Sequence, residues 1–162
     1  MSRIRIVLIG CLSAIAGCAE GGPVAVEARD GPAMRKNGLG NTYAWFQARN
    51  NSAENPDVHA VITDAIDAEL AKKGFTKTDQ KTASFWVGYR VIRENKTDSS
   101  VYPHGVTYPK GTLIIRLTDP TTKKAIWAGS ATAHLLTNAT PEERMSRAQE
   151  GIRKLLDLMP TR

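Results

Sequence analysis

The first eighteen residues constrain this chain most, because they predict where it folds and what remains to form its core. Arg3 and Arg5 precede an apolar run of 11 residues from Ile6 to Ala16. A membrane-spanning helix needs about 20 apolar residues, so this run is too short to cross a bilayer. A basic tip, a short apolar segment and small residues before a cleavage point are typical of a secretory signal. The sequence therefore predicts that residues 1–17 are removed as a signal peptide.

The residues Ile15-Ala16-Gly17-Cys18 resemble the lipobox of bacterial lipoproteins. In that class the cysteine carries several acyl chains, which hold a protein to a membrane far more stably than one chain does. Leu8-Ile9-Gly10-Cys11 has a similar sequence, but the apolar segment before it is too short for a signal peptide. Cys18 is therefore the predicted lipid-attachment site. The alternative is an ordinary signal peptide with an incidental Cys18. Because Ala19 and not aspartate follows Cys18, the resemblance implies a lipid-anchored protein of the outer membrane that faces the periplasm.

Removal of the signal also fixes the charge and the thiols of the mature chain. With Cys18 acylated, no free thiol and no disulfide remain, so the fold depends on core burial alone. The full chain has 22 basic and 16 acidic residues, and loss of Arg3 and Arg5 leaves 20 against 16, a formal charge of +4. A nucleic-acid-binding protein would show clustered basic residues, whereas these are spread along the sequence. We therefore expect no nucleic-acid partner.

The composition divides the mature chain into a tether and one domain. Residues 18–40 contain the lipidated cysteine followed by a stretch rich in Gly, Ala and Pro, which predicts a flexible tether. Within it, Pro23-Val24-Ala25-Val26-Glu27 alternates weakly and is a candidate edge strand. Residues 41–162 have the length of a single domain, and we expect them to form an α+β domain.

Periodicity predicts four strands and two helices in this domain. The strands are predicted at residues 42–46, 83–92, 112–117 and 125–134. The first helix begins at Asn55-Pro56 and ends at Gly74, with Asp64 and Asp67 expected to face water. The second begins at a capping box, Thr140-Pro141-Glu142-Glu143, and ends at Pro160. The order β-α-β-β-β-α predicts a two-layer α+β sandwich, in which two helices cover one face of a mainly antiparallel four-stranded sheet.

Several short motifs in this order resemble the bacterial outer-membrane lipoprotein family called domain of unknown function 4136. They are Thr42-Tyr43-Ala44-Trp45, Ala68-Glu69-Leu70, Lys73-Gly74-Phe75, Gly111-Thr112-Leu113, Leu117-Thr118-Asp119-Pro120 and Ile126-Trp127-Ala128-Gly129. The resemblance implies a location and an architecture, and it carries over no catalytic residues. The chain departs from the family at Ala128, where the resemblance implies arginine.

The sequence offers no convincing catalytic or metal-binding group. The three histidines, His59, His104 and His134, are far apart and form no His-x-x-x-His pair. Asp119 is expected to fix a tight turn instead of acting as an acid or base. Trp45, Trp86 and Trp127 are expected to be packing residues. We therefore expect no metal, no cofactor and no enzymatic activity, and a hydrolase has no candidate residues in its favour.

One segment suits recognition. The connection between the second and third predicted strands, residues 93–110, is long and contains Tyr102, His104 and Tyr108 beside glycine and proline. Loops longer than about 12–15 residues are often binding elements, although a hairpin extension without a partner is the alternative. Together these features predict a non-enzymatic binding or structural accessory module that engages an envelope protein or a cell-wall component. The alternative is a carrier or sensor of a small hydrophobic or glycan ligand in the periplasm.

Overall fold

A computed structural model describes residues 22–33, 39–46, 56–98, 106–136 and 138–160 of the chain. These residues form strands β1 (Ala25–Asp30), β2 (Thr42–Trp45), β3 (Thr76–Lys77), β4 (Phe85–Asp98), β5 (Val106–Thr118) and β6 (Ala125–His134), and helices α1 (Pro56–Lys72) and α2 (Pro141–Asp157). The predicted bounds of β6 are confirmed, and those of α1, α2 and β2 agree to within a few residues. The predicted signal peptide and Cys18 lie outside the described residues.

The strands form one six-stranded mixed sheet in the order β1-β6-β5-β4-β2-β3. The predicted mainly antiparallel four-stranded sheet is therefore wrong, although the α+β class holds. Both additional strands lie at the edges: β1 pairs antiparallel with β6, and β3 pairs parallel with β2. Strand β1 overlaps the candidate edge strand at residues 23–27, which was not counted in the predicted sheet. Strand β3 has only two residues, too few for periodicity to identify.

Strands β4 and β5 are also longer than predicted, and they form a hairpin arm. The sequence predicts that β4 ends at Ile92 and that β5 begins at Thr112, but the paired ladder continues from Ile92↔Thr112 to Asp98↔Val106. Residues 93–98 are all polar, so apolar alternation cannot reveal them as a strand. Most of the segment predicted as a loop is thus paired strand, and only residues 99–105 of it lie outside the description.

Both helices pack on one face of the sheet. Their apolar stripes, which include Ile62, Ile66 and Leu70 of α1 and Ile152, Leu155 and Leu156 of α2, are buried against Phe85, Val87, Ile115, Leu117 and Trp127 of the sheet. The predicted capping box is confirmed: the Thr140 hydroxyl accepts from the Glu143 amide at 3.2 Å, and Glu143 accepts from the Thr140 amide at 2.8 Å. Neither of these helices is long and apolar enough to cross a membrane.

Part of the stretch predicted as a tether belongs to the sheet and the core. β1 lies within it, as the weak alternation of residues 23–27 suggests, and Leu39 is buried in the core. Gly31 allows the chain to leave β1 close to β6, because its amide donates to the Ile126 carbonyl at 2.7 Å. The domain therefore begins only a few residues after the predicted lipid-attachment site.

Candidate binding surface

The two faces of the sheet have different environments. Along β4, Phe85 and Val87 point toward the helices and are buried, whereas Trp86, Gly88 and Arg90 point to the opposite side. The strand registers place the following residues on that opposite side, which we call the outer face: Ala44 and Phe46; Trp86, Gly88, Arg90 and Ile92; Thr112, Ile114, Arg116 and Thr118; Ala128, Ser130 and Thr132; and Ala25, Glu27 and Arg29. Neither α1 nor α2 covers this face.

One end of the outer face carries a stacked aromatic pair. The rings of Phe46 and Trp86 lie 5.3 Å apart with an interplanar angle of 27°. Phe46 is 47% exposed. Trp86 is oriented by a hydrogen bond that its indole N–H donates to the Gln80 carbonyl at 3.1 Å. The pair therefore presents a fixed apolar ledge to solvent.

A tight turn places a cation on this ledge. Asp119 is buried and its Oδ1 accepts from the amides of Thr121 and Thr122, both at 2.8 Å, as expected for a residue that fixes a turn. The turn holds Lys123 at a positive φ of 58°. Its ammonium lies 3.8 Å from the ring centroid of Trp86, within the range of a cation–π interaction.

Arginines from three strands share the outer face with the ledge. Arg116 is opposite Gly88 on one side and Ala128 on the other, and Ala128 is opposite Arg29. Arg90 is opposite Ile114, so it is a diagonal neighbour of Arg116, and such neighbours lie within roughly 7–8 Å of each other. The three arginines are exposed, and none forms an ion pair with another described residue. Ala128, where the family resemblance implies arginine, lies between two of them.

The predicted recognition residues fall at the opposite end of the outer face or outside the described part of the chain. Tyr108 lies in β5, and its half-buried ring stacks on His134 with centroids 4.0 Å apart at an angle of 19°. Lys110 forms an ion pair with Glu94 at 3.3 Å. Tyr102 and His104 belong to residues 99–105, which the structure does not describe. Cys18 also lies outside the described residues. Their roles stay predictions.

The helix side of the sheet contains a partly buried polar cluster that sequence reasoning missed. Asp67 was expected to face water, but its Oδ1 accepts from the Tyr43 hydroxyl at 2.8 Å and from the Trp45 indole at 3.0 Å. Its Oδ2 accepts from the Lys77 ammonium at 2.8 Å. Burial first, and then the Asp67 carboxylate, raises the pKa of Tyr43. Asp64, three residues before Asp67 in the same helix, is exposed as predicted.

This cluster is suited to holding elements together, not to acid–base chemistry. The Asp67 carboxylate accepts three hydrogen bonds, which hold it between α1, β2 and β3. His59 is similarly engaged: its Nδ1 lies 2.5 Å from the Tyr89 hydroxyl, and the two rings stack. Burial raises the pKa of Tyr89. Among the described residues, no three His, Cys, Asp or Glu side chains are grouped closely enough to hold a metal ion.

The tryptophans show how much of the outer face could be predicted from the sequence. Trp127 is buried and Trp45 is half-buried, as expected of packing residues, but Trp86 belongs to the outer face. In the sequence of β4, the apolar and aromatic residues Phe85, Val87, Tyr89 and Val91 alternate with Trp86, Gly88, Arg90 and Ile92. The second set is partly apolar, so the alternation indicated that the other face of the sheet is partly apolar as well. What periodicity could not supply is the strand order that brings Arg29 and Arg116 next to that face.

Comparison with known proteins identifies relatives of the chain. The family described as "Domain of unknown function (DUF4136)" matches residues 36–161. None of the curated proteins matches the chain. Among solved structures it is similar to the PelC dodecamer from Paraburkholderia phytofirmans, with a TM-score of 0.57 and 18% identity over 86% of this chain and 99% of that one.

Two further solved structures have lower sequence identity to the chain. A PDZ domain protein from Parabacteroides distasonis has a TM-score of 0.57 and 14% identity, over 84% of this chain and 35% of that one. A minor lipoprotein from Acinetobacter baumannii has a TM-score of 0.41 and 10% identity, over 70% of this chain and 84% of that one. At such identities, the two likenesses with a TM-score of 0.57 indicate a shared fold alone.

Proposed function

The chain belongs to the domain of unknown function 4136 family, and we propose that it is a lipid-anchored protein of the bacterial outer membrane that faces the periplasm. In this proposal it is a non-enzymatic accessory module that binds another envelope component. The lipobox-like sequence ending at Cys18 supports the anchor. The observation that supports binding is the outer face, a sheet surface that neither helix covers.

The exposed groups of the outer face suit binding better than catalysis. It offers a fixed aromatic ledge, Phe46 and Trp86, beside the exposed guanidinium groups of Arg90 and Arg116. Aromatic and arginine side chains are the residues most enriched at interface hot spots. The titratable cluster around Asp67, in contrast, lies on the helix side with its oxygens already engaged.

The proposed anchor lies close to the sheet. Six residues, 19–24, separate Cys18 from the first residue of β1, Ala25. At about 3.3–3.6 Å per residue they reach at most roughly 25 Å. The chain is in fact held sooner, because Arg147 of α2 donates a hydrogen bond to the Gly22 carbonyl at 2.8 Å. An acylated Cys18 would therefore keep the domain beside the bilayer surface.

Metabolic labelling with a fatty acid tests the anchor. In cells that express the full chain, we expect labelled palmitate to be incorporated and the protein to sediment with the outer membrane. Cys18→Ala should abolish the label and release the protein from the membrane fraction, because a single residue carries the anchor. The matched control is Cys11→Ala, which removes the other cysteine and should leave both results unchanged. Label that persists in the Cys18→Ala variant, or that disappears only in the Cys11→Ala variant, would contradict the proposal.

A further inference from the structure

Part of the outer face carries an excess of positive charge. This part extends from the aromatic ledge to the cross-strand row Arg90, Ile114, Ser130 and Glu27. Arg29, Arg90, Arg116 and the turn residue Lys123 lie there, and Glu27 is the one carboxylate that the described strands contribute to these rows. Such an excess of exposed cations attracts anions and disfavours other cations. The register places the arginines across neighbouring strands, so the charge is an area and not a single point.

The shape of this area alternates large and small side chains. The row that runs across the strands reads Phe46, Gly88, Arg116, Ala128 and Arg29. A Cβ added at Gly88 would contact only Phe46, at 3.9 Å, so the space above Gly88 is open. Gly88 and Ala128 are therefore two notches, each flanked by a guanidinium group, and the first also by an aromatic ring.

The face also carries hydroxyl groups, beside the apolar side chains of Ile92 and Ile114. Thr112 and Thr132 pair through their side-chain oxygens at 3.1 Å, and Ser130 lies one row closer to the arginines. Hydroxyls donate and accept hydrogen bonds without adding charge. The face thus combines guanidinium forks, an aromatic ledge and neutral hydroxyls.

We propose, on the basis of the function proposed above, that the outer face binds an acidic polysaccharide. Arg29, Arg90 and Arg116 bind its carboxylates, because a guanidinium group matches a carboxylate with two parallel hydrogen bonds. The apolar C–H face of a sugar ring packs on the ledge of Phe46 and Trp86. The notch at Gly88 accommodates the ring between ledge and arginine.

Two other occupants fit less well. A second copy of this face would bring its arginines against those of the first, and like charges oppose such a contact. A flat anionic bilayer would meet only part of the surface. Phe46 and Arg29 lie four strands apart, roughly 19 Å, and successive strands rotate by about 20–25°. A flexible polymer can follow this twist, whereas a flat bilayer cannot.

Binding of polygalacturonate to the full chain, purified in a non-ionic detergent, tests the proposal. We expect saturable binding at low salt, little binding of neutral dextran, and an affinity that falls about tenfold in the Arg90→Gln/Arg116→Gln variant. The matched control is Lys72→Gln/Arg153→Gln, which removes the same charge from the exposed surface of the helices and should change the affinity less than about twofold. Phe46→Ala should weaken binding without changing the net charge. Unchanged thermal midpoints would show that the variants are folded.

Several results would overturn the proposal. They are the absence of polygalacturonate binding, an equal loss in the two double variants, dextran binding of equal strength, or tighter binding of oligothymidylate or of dihexanoyl phosphatidylglycerol than of polygalacturonate. The last two would assign the face to nucleic acid or to lipid. Because the measurement does not depend on acylation, failure here with normal labelling of Cys18 would leave the anchor proposal intact.

Discussion

At the scale of single residues, Asp67 shows how tertiary structure changes the role of a helix surface position. Helical spacing groups it with Asp64 and predicts that both face water. In the structure, donors from β2 and β3 converge on it: the Tyr43 hydroxyl, the Trp45 indole and the Lys77 ammonium. Two of these donors precede Asp67 by more than twenty residues, so no local pattern could predict the contact. The carboxylate joins α1 to the edge of the sheet.

Replacement of this carboxylate should destabilise the fold. Asp67→Asn keeps the shape but removes the charge that three donors share, and hydrogen bonds to charged groups contribute about 1.5–3 kcal/mol each. Because an amide retains part of this network, we expect a loss of about 2 kcal/mol in the free energy of unfolding, measured by urea denaturation. The control Asp64→Asn, at an exposed position of the same helix, should change it by less than about 0.5 kcal/mol. Equal effects at the two positions would contradict this role for Asp67.

At the scale of secondary-structure elements, the predictable parts were those with long or well-marked patterns. Helix α2 combines a capping box with an apolar stripe, and β6 follows a marked turn and carries the apolar Ile126 and Trp127, so both could be predicted from the sequence. The hairpin arm could not, because residues 93–98 are polar and are held by cross-strand pairs such as Thr97–Thr107 at 2.9 Å. Apolar periodicity cannot predict strands whose side chains remain mostly exposed.

The attachment of β1 can be tested with two glycines. A Cβ at Gly31 would overlap the backbone oxygen of Ala125, whereas one at Gly22 would meet nothing within 4 Å. Because the obstacle is backbone, Gly31→Ala should force β1 away from β6 and cost about 2–3 kcal/mol, the upper range for overpacking. Gly22→Ala should be nearly neutral. Hydrogen exchange of the β1 amides would rise in Gly31→Ala only, and exchange that is unchanged in this variant would show that β1 is not held in this way.

At the scale of the whole molecule, folding concentrates a charge that is dispersed along the sequence. Arg29, Arg90 and Arg116 are far apart in the chain, which is why the sequence predicted no basic patch. The strand order β1-β6-β5-β4 brings them onto one face. The part of the candidate site that depends on strand order was therefore beyond prediction. Tyr108, predicted as a recognition residue of a loop, lies in the paired strand β5 on the same side of the sheet, and its role stays a prediction.

The claim that the outer face is where this protein meets its partner is tested most directly by photo-crosslinking in cells. A benzophenone amino acid would replace Ser130, in the middle of the outer face, or Ser146, on the exposed surface of α2. We predict adducts with envelope material at position 130 and none at position 146, and fewer adducts at 130 when Arg90 and Arg116 are changed to glutamine. Adducts at 146 alone, or at both positions to the same extent, would contradict it.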